Sequence, residues 1–207
     1  MQRLLLAVVL AGCGGSKPPA TPAPVELRPL AANELHTVAE LEAIPNRSQR
    51  SLALFAEMTR VITHPRCINC HPAGDSPHQR WMEPHDPPVV RGPASNGVAG
   101  MECTTCHQDR NQPLTRVPGA PGWHLAPLEM AWVGKSPAQL CTQLKDPKRN
   151  GGKTLDQLVE HNAHDKLVAW GWDPGADREP APGTQEQFGA LTAAWVQTGA
   201  ECPTEKP

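Results

Sequence analysis

CINCHPAGD, residues 67–75, and CTTCH, residues 103–107, decide how this chain is read. Each string sets two cysteines either side of two residues and puts a histidine directly after the second. Three chemistries use that spacing: metal binding, thiol–disulfide exchange and covalent attachment of a porphyrin. The rest of the sequence has to choose between them.

At 207 residues the chain has room for one domain, or two very small ones. It contains no Tyr, two Phe, six Trp and 24 Pro, so few aromatic side chains are available for an interior. A large apolar prosthetic group would supply core that the chain itself lacks. The formal net charge is −2 and no basic run occurs, so nucleic-acid binding finds no support.

The chain opens MQRLLLAVVLAGCGGS. Arg3 precedes an apolar run over 4–11, too short to span a bilayer but the right length for the core of an export signal. LAGC, residues 10–13, resembles the lipobox of bacterial lipoproteins. That resemblance implies a signal peptide over 1–12, cleavage before Cys13 and a lipid on its thiol. Gly14 in place of Asp implies the outer membrane rather than the inner. An ordinary secretory signal with a chance cysteine is the alternative, and both readings export the mature chain. Residues 13–32 then form a lipid anchor and a Pro-rich tether, since GGSKPPATPAPVELRP favours extended, solvated backbone. The folded domain is expected over 33–207.

Of seven cysteines, Cys13 is assigned to lipid and four belong to the paired motifs, leaving Cys141 and Cys202. In an oxidising compartment these two most simply pair, with two buried free thiols as the alternative. The bridge would close a loop of about 60 residues, worth about 4 kcal/mol in the chain-entropy account.

Apolar spacing predicts helices over 33–44 (Leu35, Val38, Leu41) and 48–63 (Leu52, Phe55, Met58, Val61, Ile62), divided by Pro45. Residues 64–127 are rich in Pro, Gly, His and Asn and show neither helical nor strand period. A stretch that long needs something other than backbone hydrogen bonding to organise it, and bound cofactors would do so. Further on, SPAQ (136–139), TLDQ (154–157) and TQEQ (184–187) each set Ser or Thr three residues before Gln, the capping-box spacing. Helices should begin there, the second running to about Trp170 and the third stopping at Gly199. No segment alternates convincingly. The expected class is mainly α with long irregular loops and little or no sheet.

For the motifs, a Cys₄ zinc site would have no need of a His after each second Cys. Thiol exchange usually sits at a helix start after a strand, and no such strand is visible. Covalent haem accounts for every residue: two cysteines reach the two vinyl groups on one porphyrin edge, and the next residue reaches the iron. On Cys67, Cys70, His71 and Cys103, Cys106, His107 the chain resembles the dihaem c-type cytochromes, which implies a small cytochrome c-type domain and two covalently bound haem c groups. The strings PHDPPVVRGP (84–93), PGWHLAPLEMAWVGKS (121–136), LCTQLKDPKRNGG (140–152), LVAWGWDPG (167–175) and WVQTGAECP (195–203) resemble a bacterial family often labelled a subunit of isoquinoline 1-oxidoreductase. That label implies a molybdenum hydroxylase as electron donor, although nothing in the sequence binds molybdopterin.

Nine histidines less His71 and His107 leave seven, and these with Met58, Met82, Met101 and Met130 are the candidates for the far side of the two irons. His85 leads, held in the irregular stretch between Pro84 and Pro87, whose φ is fixed. His161 continues the Leu155 and Leu158 stripe inward, and Asp165 four residues on can accept a proton from its Nδ1. His164 falls at the edge of that face. His124 and Met130, in WHLAPLEM, compete with them, with loop and core positions as their plainer readings. His36 reads as a surface residue, and His64 lies too near its own motif to reach the far face of that haem, though it could serve the other. Arg91, Arg116, Arg149 and Lys153 read as solvated cations, with haem carboxylates as the alternative partners. The expected function is single-electron transfer between redox partner proteins. A dihaem peroxidase-like enzyme or a haem-based sensor is the rival reading.

Overall fold

A computed structural model describes residues 25–175 and 177–205. The signal peptide, Cys13 and most of the tether lie outside the described residues. Residues 25–36 form neither helix nor strand but are not detached: Leu27 packs on the core, and Arg28 bonds Glu34 and Glu40, each at 2.6 Å. The folded body therefore begins before the expected boundary at 33.

Helix α1, Val38–Glu42, starts later than the apolar spacing predicts because Thr37 and Glu40 form a capping box; Leu35 joins the core from the segment before the helix. Helix α2, Arg47–Ile62, is capped by Asn46 and buries Leu54, Phe55, Met58, Val61 and Ile62, the face its 3.6-residue period requires. The capping boxes at Ser136 and Thr154 form as expected, opening α5 (Pro137–Leu144) and α6 (Leu155–His164). Thr184 caps α8 (Gln185–Gln197) through the Gln187 amide alone. Helix α6 stops short of Trp170. Asp165 turns extended there, and its Oδ1 accepts the Leu167 and Val168 amides at 2.8 and 3.0 Å to start the short α7, Lys166–Ala169.

α8 is the central helix, flanked by α2 and α6. Trp195 is fully buried against Phe55, with ring centres 5.4 Å apart. Asn162 donates to Thr192 across the α6–α8 contact, at 3.1 Å. Gly189 permits that approach, since a Cβ there would stand 2.5 Å from Ala163 Cβ. The C-terminal segment is sewn to the same core. Cys202 is disulfide-bonded to Cys141 on α5, Trp195 Nε1 donates to Glu201 O, and Glu201 N donates to Ser51 Oγ.

The stretch between α2 and α5 is built differently. Helix α3, Pro65–Ile68, begins at once, with His64 as its N-cap. Two antiparallel ladders of two residues per strand follow: β1 (His78–Gln79) with β2 (Glu83–Pro84), and β3 (Gly97–Val98) with β4 (Met101–Glu102). A single turn, α4 (Cys103–Cys106), and a 3₁₀ turn, Leu128–Met130, complete it. Its buried apolar side chains are Pro65, Pro72, Ala120, Leu125 and Met130, whereas Trp81, Val90, Val98, Met101, Leu114 and Leu128 are exposed. Backbone here is held by scattered backbone bonds, such as Arg91 N to Asp75 O and Gly97 N to Arg91 O, together with side-chain to carbonyl bonds. Arg91, expected on the surface, is 6 % exposed and ties the Gly74 and Ala126 carbonyls together.

Candidate functional site

Both paired-cysteine motifs sit in this coreless stretch, each on one helical turn. α3 carries Cys67 and leads through Asn69 to Cys70 and His71; α4 carries Cys103 and Cys106 and ends at His107. All four thiols are unbridged, while Cys141 and Cys202 are joined. Burial pushes the Cys67 thiol up to about 12 and the Cys70 thiol up to about 11, with nearby Cys103 adding to the second shift. The motifs are thus neighbours. Burial also raises the Cys103 thiol, so Cys67, Cys70 and Cys103 are held protonated, the reverse of what a disulfide-exchanging pair needs.

The two histidines are built alike. His71 Nδ1 lies 2.8 Å from the Met130 carbonyl oxygen, and its ring lies flat on Trp132, centres 3.4 Å apart and planes at 6°. His107 Nδ1 lies 2.8 Å from the Pro118 carbonyl oxygen, and its ring is parallel to Trp123, centres 4.5 Å apart and planes at 6°. A carbonyl can only accept, so Nδ1 carries the proton and Nε2 keeps its lone pair. Burial, opposed by these bonds, lowers both pKa values, that of His71 to about 3. Each ring is therefore a neutral imidazole with a fixed plane and one ligand-competent nitrogen.

One segment supplies both supports. Residues 121–136 contribute Trp123 to the second motif and Trp132 and the Met130 carbonyl to the first. Leu125 N donates to Ser95 O, Ala126 N to Cys70 O and Trp132 N to His71 O, threading that segment between the motifs. Trp170 meets Trp123 edge-on at 5.0 Å, and its Nε1 donates to Asn111 Oδ1, which also accepts the Gly119 amide. Asn111, Pro118 and the tryptophans have no sequence signature that assigns these roles.

The remaining candidates divide by their ring nitrogens. His85 Nδ1 lies 2.8 Å from Pro87 O, and its ring centre is 5.9 Å from that of His107, planes at 66°. His124 Nδ1 faces Gly122 O, on the exposed side of the segment. His161 is half-buried with Nδ1 3.4 Å from Asp165 Oδ2, the contact expected from the sequence, and it lies within electrostatic reach of His71 together with His124. His164 is exposed, 3.8 Å from Glu160. Met130 serves through its carbonyl, and its buried side chain lies beside Gly151 and Lys153. His64 Nδ1 accepts the Arg66 amide, which puts its proton on Nε2. His36, expected at the surface, is buried with both ring nitrogens engaged, by Glu57 and by Arg28 O.

Four buried polar atoms around the first motif have no hydrogen-bond partner among the described residues: Arg66 Nε, Asn69 Oδ1, His78 Nδ1 and Arg91 Nε. Arg66 is 6 % exposed, and its hydrogen bonding is to a carbonyl, Arg80 O, rather than to a carboxylate. Comparison with family models, with curated proteins and with solved structures finds no match to this chain.

Proposed function

We propose that the chain is a dihaem c-type cytochrome that passes single electrons between redox partner proteins. The observation that carries this reading is the twice-built histidine: a ring following CxxC, oriented by a carbonyl on Nδ1 and a flat tryptophan, with Nε2 free. Cys67 and Cys70 would each add across one porphyrin vinyl group, sulfur bonding one carbon and the thiol hydrogen ending on the other, so the attachment needs no oxidant. His71 Nε2 would take that iron. Cys103, Cys106 and His107 would do the same at the second site. When bound, haem supplies reversible one-electron chemistry at iron.

The chain's own residues fit such a group. Exposed Trp81, Val90, Val98, Met101, Leu114 and Leu128 offer an apolar lining to a stretch with almost no core. The orphaned guanidinium nitrogen of Arg66 matches a porphyrin carboxylate, and Arg91, whose Nε lies 3.7 Å from Asp75 Oδ1, is a second buried cation beside the first motif. Adjacent motifs favour exchange between the two irons. Export, a lipid on Cys13 and placement on the periplasmic side of the outer membrane complete the reading, with a molybdenum hydroxylase as the donor that the family resemblance implies.

The test is expression of the full chain with the cytochrome c maturation machinery, followed by a pyridine haemochrome assay and intact mass. Two covalent haems are expected, and one after Cys103→Ala with Cys106→Ala. A wild-type chain without two covalent haems overturns the reading. Two low-spin haems with no peroxide turnover fit a carrier, whereas one high-spin haem with turnover would replace it by a peroxidase.

A further inference from the structure

We propose that His85 is the sixth ligand of the iron held at Cys103, Cys106 and His107, an assignment that rests on the haem reading above. Two imidazoles on opposite sides of one metal ion, each bonded at about 2 Å, have ring centres about 6 Å apart. The ring centres of His85 and His107 are 5.9 Å apart. Both rings have Nδ1 tied to a backbone carbonyl at 2.8 Å, Pro87 O for one and Pro118 O for the other, so each keeps its lone pair on Nε2. The two planes meet edge-on at 66°, an angle open to two rings that share one metal axis.

His85 is held in place from both sides. It directly follows β2, whose Pro84 and Glu83 pair with His78 and Gln79 of β1, and Arg80 closes that turn on Glu83 at 2.9 Å. Pro84 and Pro87 restrict φ around it. The segment joining the two motifs therefore returns over the second site rather than over the first, which it directly follows. His36 and His64 have the wrong nitrogen protonated or both engaged, and His164 is exposed beside Glu160. His124 and His161 lie near His71 and are left to the first iron. Two imidazole ligands give a lower reduction potential than imidazole with a thioether, so the second haem takes the lower potential of a His/His site.

The test uses the matured full chain and its His85→Ala and His85→Met variants. Haem count by intact mass comes first. Fewer than two haems in the wild type overturns the haem reading and this assignment with it. With two haems present, the ferric EPR spectrum reports ligation, and Trp123→Leu and Trp132→Leu identify which signal belongs to the second and first motif. His85→Ala should abolish the low-spin signal that Trp123→Leu shifts, and added imidazole should restore it. His85→Met should keep that haem low-spin and raise its potential alone. Should His85→Ala hold too little haem to read, His85→Met decides. Retention of both wild-type signals and potentials overturns the assignment, as does a change confined to the haem that Trp132→Leu marks.

Discussion

Replacing Gly119 by alanine should damage one site and spare the other. Gly119 follows Pro118, whose carbonyl oxygen holds His107 Nδ1 at 2.8 Å, and its own amide donates to Asn111 Oδ1 at 3.1 Å. A Cβ at 119 would stand 2.8 Å from the Arg110 carbonyl carbon and overlap the carbonyl oxygens of Gln108 and Arg110. The backbone has to open by about 1 Å to restore ordinary contact distances. A displacement of that size carries the Pro118 carbonyl beyond hydrogen-bond range of Nδ1. Overpacking costs ~1–3 kcal/mol and the lost bond ~1 kcal/mol, so the variant should lose ~2–4 kcal/mol. Gly74, inside the first motif's string, is the matched control: a Cβ there meets nothing within 4 Å and its φ is not positive. Gly74→Ala should stay within ~0.5 kcal/mol of wild type. Thermal denaturation measures the stabilities and, on the proposed dihaem reading, potentiometric titration of the matured chain followed by EPR reports each haem separately. Gly119→Ala should shift the potential of the second-motif haem and leave the first unchanged. A Gly119→Ala protein as stable as Gly74→Ala, or one whose first-motif haem shifts, would refute the reasoning.

Two further outcomes follow from the helical body. Replacing Cys141 and Cys202 together by serine opens a bridge of sequence separation 61 and should lower stability by about 4 kcal/mol in guanidinium denaturation, with both haem spectra unchanged. The second concerns His36, 7 % exposed, with Nδ1 2.7 Å from Glu57 Oε1 and Nε2 3.0 Å from Arg28 O. Burial opposes its charged form, but the Glu57 bond and the Arg28 carbonyl outweigh burial and hold its pKa above the ordinary value. A raised folded-state pKa contributes stability that is complete below about pH 6.5 and is lost as pH rises through the folded value. Glu57→Gln should therefore lower Tm by more at about pH 5.5 than at about pH 9; an equal deficit at both would exclude the protonated pair.

The helical body was legible because its signals are local. Ser136, Thr154 and Thr184 cap the helices the spacing predicts, and the α2 stripe is the buried face. Errors fell where a cap or a distant partner overrode periodicity. Thr37 delayed α1, Asp165 divided α6 from α7, and Glu57, 21 residues away, drew His36 inside. The Cys141–Cys202 pairing came from counting, since two cysteines were left over, and α5 and the C-terminal segment bring them together.

At the candidate site the division is sharper. Sequence alone singled out the two CxxCH strings as the candidate site, because their spacing is local and can be read before any fold is known. It also marked 64–127 as a stretch with no periodic reason to fold by itself. Only the tertiary structure decided that Met130 acts through its carbonyl, that one segment sets Trp132 under His71 and Trp123 beside His107, and that His85 meets the second motif rather than the first. Those are contacts between backbone carbonyls, ring faces and residues far apart in the chain. Neither residue type nor spacing encodes which carbonyl points at which imidazole; that direction is set by the path of an irregular chain pinned at Asn111, Arg91 and Gly119.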